Sequence, residues 1–88
     1  MTTRSVDVTN ALGLHARAAA TFVNVAGRFA SQIRVERGSR TVDGKSILGL
    51  LLLAAAQGSQ IVITADGPDE AEAIAALCTL VGQGFEEA

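Results

Sequence analysis

Apolar and polar residues alternate in four short stretches of the chain, which is the pattern of β-strands that bury one face. The stretches cover residues 5–9, 32–36, 40–43 and 60–65, and a turn at residues 37–39 makes the middle two a hairpin. Because each strand also keeps a polar face, we expect antiparallel strands in a sheet covered on one side only, a two-layer α+β sandwich. The predicted inward positions are Val6, Val8, Ile33, Val35, Val42, Ile61, Ile63 and Ala65.

Three further segments show the three- and four-residue spacing of amphipathic helices. The first begins at Ala16 and ends at Gly27, the second is capped by Ser46 and runs through Ala56, and the third begins within residues 66–70. The order of elements is therefore strand, helix, strand, strand, helix, strand, helix. The predicted inward stripes are Ala16, Ala19, Ala20, Val23 and Ala26 in the first helix, and Ala71, Ile74, Ala75, Cys78, Val81 and Phe85 in the third.

The length and composition limit where a functional site can lie. The chain has 88 residues, of which 49% are hydrophobic and 18% charged, so we expect one folded domain over residues 1–88. A domain this small cannot also enclose a deep substrate cavity, so its function is expected on the surface. One His and one Cys are too few for a structural zinc site or an internal disulfide, and no metal or cofactor is expected. Cys78 lies on a predicted inward stripe, which favours a core role over a reactive one.

Charge and hydropathy argue against two classes of partner. The net charge is −2, the basic residues are scattered, and three Phe with no Trp or Tyr leave no platform for base stacking, so no nucleic-acid partner is expected. The longest apolar run, residues 47–56, is too short to span a bilayer, and no signal peptide is visible, which predicts a cytoplasmic protein with no membrane partner. The acidic residues 66, 69, 70 and 72 fit helix-start charges, and Glu86 and Glu87 fit a terminal tail.

The most informative segment is residues 13–17, where His15 stands at the junction of a loop and the first helix. Unpaired N–H groups of a first helical turn, here those of Ala16, Arg17 and Ala18, form an anion site with the helix dipole, and the Arg17 guanidinium can grip phosphate oxygens. A neutral imidazole placed there can act as a nucleophile that accepts a phosphoryl group. The local pattern by itself nevertheless favours a capping or simply exposed histidine, because single histidines are rarely catalytic.

Residues 44–46 have the sequence Gly-Lys-Ser, which also ends a nucleotide-binding P-loop. The required earlier glycine is missing, since position 39 is Ser and Gly38 lies one residue too early. We therefore interpret Ser46 as a helix N-cap, a position that is also compatible with phosphorylation.

The helix after Ser46 is apolar on almost every side. One side must face the sheet, and the rest is either buried or forms an exposed apolar patch suited to docking another protein. Both interpretations stay open for the set as a whole, with exposure favoured for Ile47 and Leu48. The set comprises Ile47, Leu48, Leu51 and Leu52.

Two segments together resemble the HPr family, the histidine phosphocarriers of the bacterial phosphotransferase system. Residues 10–23 (NALGLHARAAATFV) resemble the family's active-site signature, and residues 44–51 (GKSILGLL) resemble its second signature around a regulatory serine. The resemblance covers the whole chain and implies a four-stranded antiparallel sheet with three helices on one face, an open-faced two-layer sandwich.

The resemblance also implies roles for particular residues. His15 would take a phosphoryl group on Nδ1 from Enzyme I, which draws it from phosphoenolpyruvate, and would pass it to a IIA component, with Arg17 stabilising the phosphate. Ser46 would be the target of an ATP-dependent HPr kinase. The docking face around His15 and the second helix would include Ala20, Ile47, Leu48 and Leu51.

The chain departs from the family pattern at two positions, one in the first helix and one in the loop before it. Most members have Pro where this chain has Ala18, which puts in doubt how rigidly the first-turn amides are aimed, and Leu12 replaces a more usual polar residue. The Ala18 change, the run at residues 49–51 and the ending at residues 85–87 resemble the nitrogen-related branch of the family more than the sugar-transport branch.

Two functions of different classes remain open at this point. The first is a phosphoryl carrier that works through His15, and the second is a regulatory binding module controlled by phosphorylation of Ser46. Keeping both His15 and Arg17 favours the carrier, since an idle site needs neither. An independent enzyme is not expected, because no second catalytic group lies near His15, and a carrier that docks through one face is most simply a monomer.

Overall fold

The computed structural model describes residues 1–86 and contains the predicted order of elements. All three strand pairs are antiparallel, in the sheet order β1-β4-β2-β3. The elements are β1 (Thr2–Asp7), α1 (Ala16–Ala26), β2 (Gln32–Arg37), β3 (Arg40–Asp43), α2 (Ile47–Leu52), β4 (Gln60–Asp66) and α3 (Glu70–Gly82), followed by a 3₁₀ turn at Gly84–Glu86.

One face of the sheet carries the core. In the central strands the inward residues are completely buried, and Val35 of β2 lies opposite Ile63 of β4 and Val42 of β3. On the opposite face Thr3, Arg34 and Asp43 are exposed, in one row with the half-buried Thr64. Contacts of α3 with β1 and β4, of α2 with β3, and of α1 with both other helices place all three helices over the buried face. The predicted open-faced sandwich is therefore confirmed.

The first strand begins earlier than predicted. It spans Thr2–Asp7 rather than residues 5–9, because every residue from Thr2 to Asp7 pairs with β4. Val8 is buried as predicted but follows the strand, while Val6 is only half-buried.

The inward stripe of α1 is also shifted. Ala19 and Ala26 are buried as predicted, but Ala16 is exposed, and Ala20 and Val23 are only half-buried. The side chains that enter the core instead include Ala18 and Phe22. A predicted stripe that starts at the first helical residue fails here because that residue lies at the open end of the helix, beyond the core.

The second helix is much shorter than predicted. It ends at Leu52 instead of Ala56, because Ala54 adopts a left-handed backbone with φ of 51°. Just beyond it, the carbonyl of Ala55 accepts a hydrogen bond of 2.8 Å from the backbone N–H of Leu14. A tertiary contact therefore ends this helix, although Leu and Ala are good helix formers.

The buried stripe of α3 differs from the prediction as well. Ile74 and Val81 are buried as expected, and so is Phe85, which lies beyond the helix end. The predicted inward residues Ala71 and Ala75 are exposed, while Cys78, expected in the core, is half-buried, and burial raises the pKa of its thiol. The helix is so apolar that its sequence offers more than one stripe with helical spacing. The stripe that faces the sheet is Ala73, Ile74, Leu77, Leu80 and Val81.

A carboxylate joins the start of α3 to the loop after α1. Asp69 accepts hydrogen bonds from the backbone N–H groups of Ala30, at 2.8 Å, and Ser31, at 2.9 Å, and from the Ser31 hydroxyl. The hydroxyl contributes most to lowering the pKa of Asp69, and the N–H of Ala30 comes next.

Within residues 1–86, no helix is long and apolar enough to cross a membrane.

Candidate functional site

His15 occupies the N-cap of α1. Its backbone is extended, with φ of −80° and ψ of −179°, and its carbonyl accepts the first intrahelical bond, from the N–H of Ala19 at 2.8 Å. Its side chain also caps the helix, because Nδ1 accepts a hydrogen bond from the N–H of Arg17 at 3.3 Å. The predicted place of His15 at the junction of loop and helix is therefore confirmed, and its Nδ1 atom lies at the electropositive end of α1.

The first-turn amides are the second component of the site. Ala19 is the first residue of α1 whose N–H reaches a carbonyl four residues earlier, so the N–H groups of Ala16, Arg17 and Ala18 precede the helical ladder. Ala16 and Arg17 are exposed, whereas the Ala18 side chain is buried in the core. Although Ala18 lacks the fixed φ of proline, its methyl group packs the first turn against the core.

The loop before His15 is held by backbone geometry. Gly13 has φ of 65°, a conformation that favours glycine, and its N–H donates to the carbonyl of Asn10 at 3.1 Å. The Asn10 amide nitrogen in turn donates to the Gly13 carbonyl at 2.7 Å. A side chain on Gly13 would also collide with the chain at Ala55 and would come within 2.9 Å of the Cα atom of Ala56. These contacts hold the loop firmly.

Asn10 is a site residue that was not predicted from the sequence. Its signal was present but weak, since Asn is common in turns and its side chain hydrogen-bonds nearby backbone groups. Its burial beneath the loop depends on tertiary structure.

Ser46 is the N-cap of α2, as predicted. Its Oγ accepts a hydrogen bond of 3.0 Å from the N–H of Gly49. The preceding Lys45 does not resemble a P-loop lysine, because its ammonium group donates to the backbone carbonyl of Phe29 at 2.8 Å and the segment before it is the β2–β3 hairpin. Both observations support the rejection of a nucleotide-binding loop.

An exposed apolar surface covers the outer side of α2. Leu48 is 74% exposed, Leu52 63% and Ile47 41%, whereas Leu50 is completely buried. Exposure of Ile47 and Leu48 was predicted and is confirmed, and Leu51 is half-buried. We call the exposed set Ile47, Leu48 and Leu52 the α2 patch.

The helix that carries the α2 patch lies beside the helix that His15 caps. These two helices, α2 and α1, pack against each other, and α1 also carries the half-buried Ala20. Leu12, in the loop before His15, is another exposed apolar residue, at 71%. In the part of the chain that the structure describes, no three His, Cys, Asp or Glu side chains come together as a metal site.

Comparison with known proteins identifies the family. The family model described as "PTS HPr component phosphorylation site" matches residues 2–83. The chain belongs to the HPr family. A similar relative is the phosphocarrier protein HPr of Cupriavidus necator, 47% identical over 87 residues, which cover 99% of this chain and 98% of that protein.

Solved HPr structures have the same fold. The crystal structure of HPr-C-His from Thermoanaerobacter tengcongensis superposes with a TM-score of 0.95 at 43% identity, and the match covers 100% of this chain and 99% of that one. The family and the fold predicted from the sequence are thus confirmed, and a phosphocarrier role in the phosphotransferase system follows. An HPr dimer from the same organism also matches, with a TM-score of 0.79 at 44% identity over 99% of this chain and 100% of that one, so the monomeric state stays a prediction.

Proposed function

We propose that this chain accepts a phosphoryl group from phospho-Enzyme I on Nδ1 of His15 and passes it to a IIA component. The observation that carries the proposal is the position of His15 Nδ1 at the N-terminus of α1, 3.3 Å from the Arg17 N–H. In the transfer a bond forms between Nδ1 and phosphorus while the donor's bond to that phosphorus breaks. In each cycle the protein is phosphorylated by one partner and dephosphorylated by the next. It is therefore a phosphorylated intermediate in the transfer rather than a catalyst.

The first turn of α1 is suited to holding the transferred group. Once Nδ1 is bonded to phosphorus it no longer accepts a hydrogen bond, and the Arg17 N–H can donate to a phosphoryl oxygen instead. The neighbouring amides of Ala16 and Ala18 and the exposed Arg17 guanidinium supply further positive potential. An open site of this kind stabilises the phosphate yet leaves it accessible to the next acceptor.

Partner docking is assigned to the apolar surface beside the site. We propose that Enzyme I and the IIA component bind over Ala20, Ile47, Leu48 and Leu51, and the exposure of Leu52 extends this surface. Since one face serves successive partners, we propose that the carrier acts as a monomer, in the cytoplasm.

Regulation through Ser46 is the second proposal at this surface. An HPr kinase would place a phosphate on the hydroxyl that now caps α2, next to Ile47 in the α2 patch. The added negative charge would face whatever partner docks there. A binding module controlled by Ser46 alone, with His15 idle, is the competing function.

The deciding experiment is incubation with Enzyme I and phosphoenolpyruvate, followed by intact-mass measurement. We expect one phosphate that is acid-labile and alkali-stable in the parent chain and absent in His15→Ala. No labelling by an Enzyme I that phosphorylates another HPr would contradict the carrier function, and partner binding lost in Ser46→Ala but kept in His15→Ala would favour the binding module. Offering sugar-specific and nitrogen-related IIA proteins as acceptors then distinguishes the two branches.

A further inference from the structure

Two arginines of the β2–β3 hairpin hold the end of α2. The Arg40 guanidinium donates from Nη1 to the carbonyl of Leu52 at 2.6 Å, and the Arg37 guanidinium donates from Nη1 to the carbonyl of Leu53 at 3.1 Å. The last carbonyls of any helix lack partners within the helix, and cationic side chains can satisfy them. Here the cations come from another element, so the hairpin fixes where α2 ends.

The residues after these carbonyls form the surface on which the His15 loop rests. Ala54 follows directly in the left-handed conformation, and the next carbonyl, that of Ala55, accepts the N–H of Leu14. Gly13 packs against the backbone at Ala55 and Ala56 so closely that no side chain would fit. The carbonyls that the arginines hold therefore lie only two and three residues before the Ala55 carbonyl. That carbonyl in turn bonds to Leu14, the residue before His15.

We propose that Arg37 and Arg40 are positioning residues for His15, acting through the backbone of residues 52–55. A left-handed alanine is strained and persists only where its surroundings determine it. The two charge-assisted hydrogen bonds restrain the backbone immediately before Ala54. Without them residue 54 is free to relax, which moves the Ala55 carbonyl away from Leu14 and loosens the loop that carries His15.

Substitution of both arginines tests this directly. Arg37→Met/Arg40→Met keeps apolar side-chain length but removes the donors, and Arg34→Met is the matched control, because Arg34 lies on the same hairpin with its guanidinium bonded to Gln32 on the open face. Amide hydrogen exchange then reports on the Leu14 N–H and, for comparison, on the N–H of Ile63 in the central strand. We expect Leu14 to exchange about tenfold faster in the double variant, after correction for any change at Ile63, and to be unaffected in the control. Equal changes at Leu14 and Ile63 would mean a general loss of stability and would overturn the proposal.

A rescue experiment separates positioning from simple stabilisation. Glycine adopts the left-handed conformation without strain, so Ala54→Gly added to the double variant is expected to restore most of the Leu14 protection. Failure of this rescue would show that the arginines do not act through residue 54.

The phosphoryl-transfer readout rests on the proposed function, whereas the exchange measurement does not. With Enzyme I we expect the double variant to lose transfer rate mainly in kcat, since neither arginine bonds to Ile47 or Leu48 at the start of α2. Adding Ala54→Gly should recover the rate. Loss confined to KM would mean that the arginines contact the partner instead, which overturns the positioning role. If the parent chain takes no phosphate at all, the proposed function fails while the exchange result still decides the structural inference.

Discussion

The Arg17 N–H donates to Nδ1 of His15, so the atom proposed to take the phosphoryl group is also the atom that caps α1. Phosphorylation must therefore replace this capping bond. We expect the Arg17 amide to show one of the largest backbone NMR shift changes when His15 is phosphorylated, with the ladder amides of α1 from Ala19 onward changing little. An unmoved Arg17 amide in the fully phosphorylated protein would argue against attachment at Nδ1.

Substitutions at His15 can separate capping from phosphoryl transfer. His15→Ala removes both, and we expect it to lower the free energy of unfolding by about 1 kcal/mol, as loss of an N-cap does. His15→Asn keeps a capping oxygen, so it is expected to remain within about 0.5 kcal/mol of the parent while still failing to take phosphate. Urea denaturation and intact mass check the two effects independently, and equal destabilisation by both variants would contradict the capping role.

Ser46 offers the same separation at α2. Ser46→Ala removes the Oγ that accepts the Gly49 N–H and is expected to cost about 1 kcal/mol of unfolding free energy. Ser46→Asp keeps a capping oxygen, so it should be close to the parent in stability but slower in transfer from Enzyme I, because it places a negative charge beside the proposed docking surface. If Ser46→Asp and Ser46→Ala transferred phosphate equally well, charge at this position would have no role in docking.

The parts of the fold that could be predicted are those encoded by local pattern. Strict alternation identified β2, β3 and β4 to within one residue, and the N-caps His15 and Ser46 were predictable because a cap depends on residues within one turn of it. The end of α2 was not predictable, since the sequence around Ala54 favours a longer helix. The stop comes from residues distant in sequence, Leu14 and the hairpin arginines.

The α2 patch gives a prediction about docking. Leu48→Asp replaces an exposed apolar side chain, so its effect on stability should stay within about 0.5 kcal/mol, while the catalytic efficiency of phosphorylation by Enzyme I should fall about tenfold or more through KM. Thr3→Asp, exposed on the open face of the sheet, is the control for added charge and should transfer normally. Unchanged transfer kinetics in Leu48→Asp would remove the patch from the docking surface.

The buried side of α2 should respond differently from the α2 patch. Leu50→Ala removes a completely buried side chain and should lower the free energy of unfolding by about 2–5 kcal/mol.

Acid stability should depend on Glu70, which anchors the N-terminus of the chain. Its carboxylate accepts a hydrogen bond from the Thr2 hydroxyl and lies 2.9 Å from the terminal ammonium of Met1, and these groups, the hydroxyl first, lower the pKa of Glu70 to about 2. The pKa of a Glu side chain in the unfolded chain is about 4.3, so the pKa of Glu70 is lower in the folded state. The stabilisation that such a carboxylate contributes is complete above the unfolded-state pKa. It is lost as the pH falls towards the folded-state pKa.

We therefore expect Glu70→Gln to be less stable than the parent at neutral pH and the difference to shrink between about pH 4.5 and pH 2. Urea midpoints measured across this range provide the test, with Glu72→Gln, exposed in the same helical turn, as the control for charge removal. A constant gap between the parent and Glu70→Gln down to the lowest pH would show that the carboxylate stabilises the fold by packing and not by its charge. Acetylation of the terminal amine should act in the same direction as Glu70→Gln, because it removes the ammonium charge that this carboxylate pairs with.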